Sequence, residues 1–525
     1  MMSFPIFSAR AVLTLILLVA AVRAAPAQPA PLQGLDGYIE AAMRDWGVPG
    51  LAIAVVRDDS VIFARGYGVR ELGGAESVDE NTLFAIASTT KAMTAAALGT
   101  LVDEGRLGWD DPVSRWLPEF QLLDPTISRD LTVRDLLTHR SGVERADLLW
   151  VAAPFDRGEV LRRTRHVSSS APFRAGYGYQ NLMYIAAGEV AGAAAGSTWD
   201  DVVEQRLFRP LGMTRSTSRS AVAETRDNVA TPHTRVDGRV TPAALRNYDN
   251  IGGAGAVFSS ALEMAQWIRL HLNGGTYGGQ RLIGEATVSE MHTPQTVIRS
   301  DTVADRLFPD SHFRAYGLGW FLQDYHGRKL VHHSGSINWT RTQVGMIPSE
   351  NVGVVVIANL SSSNLQHALM YRVLDAFMGA PQRDWSAEYR ALAVRAEERA
   401  AARSRETEAS RIRRTRPSLA LDAYAGTYTD SVFGDVRISR ERNRLVLTYA
   451  PDYVADLEHW HHDTFRAVWR RAGFGRAFVT FSLDPRGRAR TLELEDFGEF
   501  RRAPDPRSDA AVAASDVLAP WAPRL

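Results

Sequence analysis

Cysteine is missing from this 525-residue chain. That excludes disulfides, a cysteine nucleophile and thiolate metal ligands together, and leaves the redox compartment open. Lysine is nearly missing. Of the 60 lysine and arginine residues, only Lys91 and Lys329 are lysine. Net charge of one sign is lacking as well. Formal net charge is +0, so bulk charge gives no reason to expect nucleic acid or an anionic membrane surface as partner. No H-E-x-x-H, P-loop or strand–helix G-x-G-x-x-G occurs, so the motifs call for no cofactor and no metal. The N-terminal apolar run, residues 11–22, is too short for a bilayer span, which takes ~20 residues.

What is there is ordinary for a globular protein, with 45% hydrophobic and 23% charged residues. The length suits about two to three domains. Residues 1–10 carry one positive charge, the apolar run follows, and "RAAPAQPAP" supplies small residues. This is the three-part pattern of a secretory leader. We expect residues 1–27 to be removed, leaving a periplasmic or secreted protein with no membrane insertion.

A helical pattern starts near Leu35 and ends at Gly47 and Pro49-Gly50. "LAIAVVRD" and "SVIFARGYGV" read as a hairpin turned at Asp58-Asp59. The stretch after Lys91, "AMTAAALGTLVDEGRL", is apolar nearly all round and predicts a buried helix. Helical patterns fill 115–300, and strands return from about 315. Strands at both ends with helices between predict one α/β unit over 33–383, its sheet built from both ends. Residues 384–416, rich in Ala, Arg and Glu, read as a solvated helical linker; the interleaved Glu residues argue against a basic nucleic-acid arm. Short alternating strands over 418–502 predict a separate all-β, barrel-like domain, with a disordered tail at 503–525.

The stretch "FAIASTTK" places one of the two lysines three residues after Ser88. On a helix these share a face. A serine hydroxyl attacks only when something takes its proton. Arginine cannot do so, whereas a buried lysine can. Ser-x-x-Lys alone is a weak signal. Tyr179-Gln180-Asn181 and the strand-borne His333-Ser334-Gly335 lie downstream in an order that suits one cleft.

With these three elements, and with "LTVRDLLTHRSGV", "RLFRPLGMTRS", "IGGAGAVFSS" and "YGLGW", the chain resembles the class C β-lactamase-like serine hydrolases over about 33–380. That group includes penicillin-binding-protein-like enzymes, D-amino-acid-specific peptidases and esterases. The resemblance implies a β-lactamase/transpeptidase-like α/β fold, an antiparallel sheet flanked by helices plus a helical subdomain. Residues 418–502 resemble the lipocalin-like domain that some relatives carry. By resemblance, Ser88 attacks a carbonyl, Tyr179 is the general base and Lys91 holds its phenolate. The N–H groups of Ser88 and Ser336 form the oxyanion hole. Asn181, His333 and Gly335 contact substrate. No cofactor is implied; an oligomer is possible.

Three positions depart from the family pattern: His333 replaces lysine, Gln180 replaces serine, and Ala175 replaces proline. A neutral imidazole attracts a carboxylate less than an ammonium, which favours a small peptide or ester substrate over β-lactams. His139 is expected to pack and fix its loop. His459 and His461 could share a strand face, but no further ligand pattern completes a metal site. The expected activity is hydrolysis of a D-amino-acid peptide or short ester through an acyl-enzyme. The alternatives are a β-lactamase and, in another class, a non-turnover peptidoglycan-sensing receptor.

Overall fold

The computed structural model describes residues 29–504 except 152, 300, 301, 338 and 472. The expected leader at 1–27 and almost all of the expected tail at 503–525 lie outside the described residues. No described helix is long and apolar enough to cross a membrane.

The main sheet has eight strands, numbered here in chain order. They are β1 (Gly50–Arg57), β2 (Ser60–Gly68), β3 (Thr296–Ile298), β4 (Arg314–Tyr316), β5 (Phe321–Tyr325), β6 (Arg328–Ile337), β7 (Thr340–Ile347) and β8 (Val352–Ala358). The order across the sheet is β2-β1-β8-β7-β6-β5-β4-β3, antiparallel throughout. The sheet is thus built from both sequence ends, joined where β1 pairs with β8, Ala54 opposite Val355. Asp58 and Asp59 both take positive φ, the two-residue turn that matches strand twist.

Both faces of this sheet are covered, which is why "LAIAVV" and "VGVVVIA" read as unbroken apolar runs. Ala52, Ala54, Val355 and Ile357 face one core; Leu51, Ile53, Val354 and Val356 face the other. The first core is closed by α2 (Thr90–Asp103), α3 (Asn181–Ala195) and α4 (Ala261–Leu272). The second is closed by α1 (Leu35–Trp46) and α5 (Leu365–Met378).

The stretch read as a solvated linker contains α6 (Trp385–Ala409). Its first turn is not solvated. Trp385 is fully buried, stacks on Tyr371 with centroids 4.8 Å apart, and donates its indole N–H to Asp375 at 2.6 Å. One aromatic at the helix start found a core to fill, which composition averaged over the segment hides. Beyond that turn the helix is largely exposed, and Arg411 ties the chain to the carbonyls of His459 and Trp460.

The last eight strands, β9 (Gly426–Asp430), β10 (Gly434–Glu441), β11 (Arg444–Ala450), β12 (Tyr453–His461), β13 (Thr464–Trp469), β14 (Arg476–Leu483), β15 (Ala489–Leu494) and β16 (Gly498–Arg502), form a closed barrel. Its interior is filled by Tyr428, Leu447, Phe465, Phe481, Leu492 and Phe500 among others. His459 and His461 bond backbone groups: His459 Nε2 bonds the His462 carbonyl within the barrel, and His461 Nδ1 accepts the N–H of Ile412, in the segment that leads into it.

The barrel packs on the segment around residues 148–155. Leu148 and Val151 lie against its core, and Arg163 covers Phe155 while donating to the carbonyls of Ser431 and Val432. Replacing Trp385 by alanine should lower unfolding free energy by about 3–5 kcal/mol, the usual cost of deleting a buried large aromatic. Urea denaturation checks this; a loss below about 1 kcal/mol would mean that α6 is not part of the hydrolase core.

Candidate active site

Ser88 precedes the helix that carries Lys91. It sits in a 3-10 turn, Ala87–Thr89, and α2 begins at Thr90. Ala87 is buried with φ +53°, a conformation that costs a non-glycine residue about 1–3 kcal/mol. The surroundings hold it there. Ile86 N–H donates to Val257, and the Thr340 hydroxyl donates to the Ala85 carbonyl at 2.8 Å. This strained turn lifts Ser88 into a cleft of about 290 Å³ between α2, β6 and the segment 145–150.

Lys91 lies one turn on, fully buried. Its Nζ has three oxygen neighbours: Asn181 Oδ1 at 2.7 Å, the Ala254 carbonyl at 2.7 Å and Ser88 Oγ at 3.4 Å. Two of these can only accept; the third is a hydroxyl that can also donate. A neutral amine fits this set, giving its two hydrogens to the carbonyl oxygens and turning its lone pair to Ser88. Burial pushes Lys91 well below the ordinary lysine range; Asp147 opposes the shift and Arg145 adds to it.

Tyr179 precedes α3 and faces the same cleft as Ser88. Burial raises Tyr179, with Ser88 and Arg145 opposing, so the phenol keeps its proton at rest. Lys91 Nζ lies over its ring, 4.9 Å from the centroid. His139 holds this tyrosine's loop. Its ring lies 4.2 Å from that of Tyr179, and its Nδ1 accepts Gln180 N–H at 3.0 Å. Gln180, the departure from serine, caps α3 through Leu182 N–H and donates its amide to the carbonyls of Val143 and Glu144. Buried Asp135 binds Arg140 and Arg174, joining the His139 segment to the Tyr179 segment.

His333 is buried on β6 and lines the cleft. Nδ1 meets the Ser334 carbonyl at 2.7 Å, which can only accept, so Nδ1 carries the hydrogen and Nε2 accepts from the Tyr316 hydroxyl at 3.0 Å. Burial above all pushes it down to about 3, so it is a neutral ring. Gly335 is required by contact: a Cβ there would lie 2.2 Å from the Ile86 carbonyl oxygen. Its absence lets β6 approach the Ser88 turn and brings Ser336 to the cleft.

All the sequence-predicted residues therefore meet in one cleft. Asn181 differs in use. Its two polar ends are committed to Lys91 and, through Nδ2 at 2.8 Å, to Asp147. Asp147, Arg145, Trp150 and Arg341 also line the cleft, and sequence reasoning missed them. "RADLLW" has no spacing that marks an acid for a lysine 56 positions earlier. Tyr316 was within reach, as the first residue of "YGLGW".

A hydroxyl, an amine and a phenol sharing one desolvated cleft are the parts of a serine acyl-transfer enzyme. Comparison gives the family: residues 35–376 match Beta-lactamase, and the chain belongs to that family as a serine hydrolase. Residues 410–509 match a domain of unknown function, DUF3471. Two Aspergillus proteins are similar over most of their length. The unguisins hydrolase ungD' of A. campestris is 30% identical over 79% of each chain, and ungD of A. violaceofuscus is 27% identical over 88% of each. An octameric penicillin-binding protein homologue from Pyrococcus abyssi shares the fold, with TM-score 0.59 and 22% identity over 89% of this chain and 98% of its own.

Gly335→Ala should cut kcat/KM by at least about 100-fold, since a misplaced oxyanion donor costs on that order. Steady-state kinetics with a nitrophenyl ester check this. Activity within threefold of the parent would show that the β6 approach does not matter.

Proposed function

We propose that the protein hydrolyses a peptide amide or short ester through an acyl-enzyme on Ser88. The observation that carries this reading is the position of buried Lys91 Nζ, with two acceptor-only oxygens and one serine hydroxyl around it. Ser88 Oγ bonds to the substrate carbonyl carbon while its proton passes to the Lys91 lone pair. The N–H groups of Ser88 and Ser336 hold the oxyanion. On collapse the carbon–leaving group bond breaks, and the Tyr179 hydroxyl donates its proton to the departing amine or alcohol. Lys91 and Tyr179 share one titrating proton and act as a pair. Water then attacks the ester and gives a proton to the same pair; as the carbon–Oγ bond breaks the pair returns a proton to Ser88 Oγ, which frees the acid and restores the hydroxyl.

This changes the order expected from resemblance, in which Tyr179 is the first base. A phenolate in a desolvated site is costly, whereas a neutral amine is what burial favours. D-amino-acid peptides and short esters remain the proposed substrates. The neutral His333 supports them over β-lactams, and relatives named as hydrolases support turnover over a one-shot receptor. Location in the periplasm or outside the cell is proposed from the leader pattern alone.

Ser88→Ala should abolish turnover and trapping of an ester adduct by mass spectrometry, and Lys91→Arg should lower kcat at least about 1,000-fold. Full activity in Lys91→Arg contradicts the mechanism. The acid limb of kcat/KM reports Lys91 losing its proton in the free enzyme. Asp147 favours the ammonium, so Asp147→Asn should move that limb to lower pH. Arg145 disfavours it, so Arg145→Gln should move it to higher pH. Each shift should be on the order of one unit. Shifts of the same sign would contradict this electrostatic assignment.

A further inference from the structure

The Ala254 carbonyl that meets Lys91 Nζ at 2.7 Å belongs to the turn Asp249–Ala254. This turn breaks at Gly252, whose φ of +35° and ψ of −116° are not helical. Such a backbone suits glycine and is costly for other residues. Contacts on two sides hold it. On the inner side, the Thr94 hydroxyl donates to the Gly253 carbonyl at 2.8 Å. On the outer side stands Arg157, which opens the helix Arg157–Arg163 and does not line the cleft.

The Arg157 side chain is mostly buried. Nε and Nη2 both donate to the Asp249 carbonyl, at 3.1 and 2.8 Å. Nη1 donates to Glu189 at 3.2 Å and to Asp200 at 3.1 Å. Its Cζ lies over the Trp199 ring, 5.6 Å from the centroid. A Cβ on residue 252 would lie 2.6 Å from Arg157 Nε, so the guanidinium fills the space that a side chain there would take. Glu189 lies on α3, which begins with Asn181, the other acceptor-only partner of Lys91 Nζ. One planar cation thus ties together both segments that hold the lysine nitrogen. A plain structural ion cluster would need only the two carboxylates. The paired bonds to the Asp249 carbonyl and the contact at Gly252 aim this cation at the turn.

We infer that Arg157 is a positioning residue for the acyl-transfer chemistry: it fixes the Asp249–Ala254 turn so that the Ala254 carbonyl stays on Lys91 Nζ. The inference rests on the proposed hydrolase reading and adds to it a residue remote from the serine. Without the guanidinium the turn relaxes, Lys91 loses one of its two acceptor-only neighbours, and its lone pair is no longer held toward Ser88 Oγ. Formation and hydrolysis of the acyl-enzyme both use Lys91, so both slow together. The loss falls on kcat, with KM little changed. Lysine cannot stand in, because a single ammonium lacks the planar fork that serves one carbonyl and two carboxylates at once.

The test assays Arg157→Ala with a nitrophenyl ester, with and without guanidinium chloride below its denaturing range. We expect kcat to fall about 100-fold, the scale of a small misplacement made away from the chemistry. KM should stay within about threefold. Guanidinium should enter the space left by the side chain and raise kcat at least about tenfold, and sodium chloride at equal ionic strength should not. A residue that only stabilises the fold predicts the opposite response, since guanidinium weakens folding. If Arg157→Ala does not fold, judged by its melting temperature, Arg157→Gln is read by the same kcat and KM criteria. A folded variant with kcat within about threefold of the parent overturns the inference, as does a loss confined to KM. So does a kcat loss in Arg157→Ala that guanidinium leaves unrestored. In each of these cases the parent's turnover keeps the hydrolase reading. If the parent cleaves no ester and forms no Ser88 adduct, the hydrolase reading falls and takes this inference with it.

Discussion

Desolvation of a single amine organises this molecule's chemistry. Lys91 has no contact with solvent, and its nitrogen meets oxygens from three separated parts of the chain: Ser88, Asn181 and Ala254. An amine in bulk water would be an ammonium, and three acceptors would then quench it. Inside the protein the charged form loses its hydration, and a lone pair pointed at a hydroxyl becomes the favoured arrangement. The strained Ala87, the close approach of β6 at Gly335 and the Gln180–His139 bond all keep the groups around that amine in place.

The architecture explains how distant segments reach one point. A sheet built from both ends of the hydrolase domain puts β6 beside the Ser88 turn, although the two are about 250 residues apart in the chain. The helical insert carries Tyr179 and Asn181 to the opposite wall. The barrel, whose interior is filled by its own side chains, backs the segment that holds Asp147 and Trp150. It therefore supports a wall of the cleft.

Much of this was legible in the sequence, for identifiable reasons. The two-ended sheet showed in unbroken apolar runs, and α2 in its all-round apolarity. Ser88, Lys91, Tyr179 and His333 were found because spacing and family resemblance mark them. Arg341, Asp147 and Trp385 were not, because each acts through a contact made only on folding: the cleft end opposite Ser336, the bond to Asn181, the stack on Tyr371. No local pattern encodes such contacts. Ser88 lies two residues before α2, in a 3-10 turn that no local pattern separates from the helix it precedes.

The scarcity of lysine also makes the decisive measurement simple. With only Lys91 and Lys329 in the chain, selective 15N labelling of lysine gives two side-chain resonances, assigned by loss of one in Lys329→Arg. Their titration reads the proton state of Lys91 directly. The account predicts that the Lys91 resonance loses its proton well below the ordinary lysine value of ~10.4. A Lys91 resonance that titrates near the ordinary value would contradict the claim that a neutral amine receives the serine's proton.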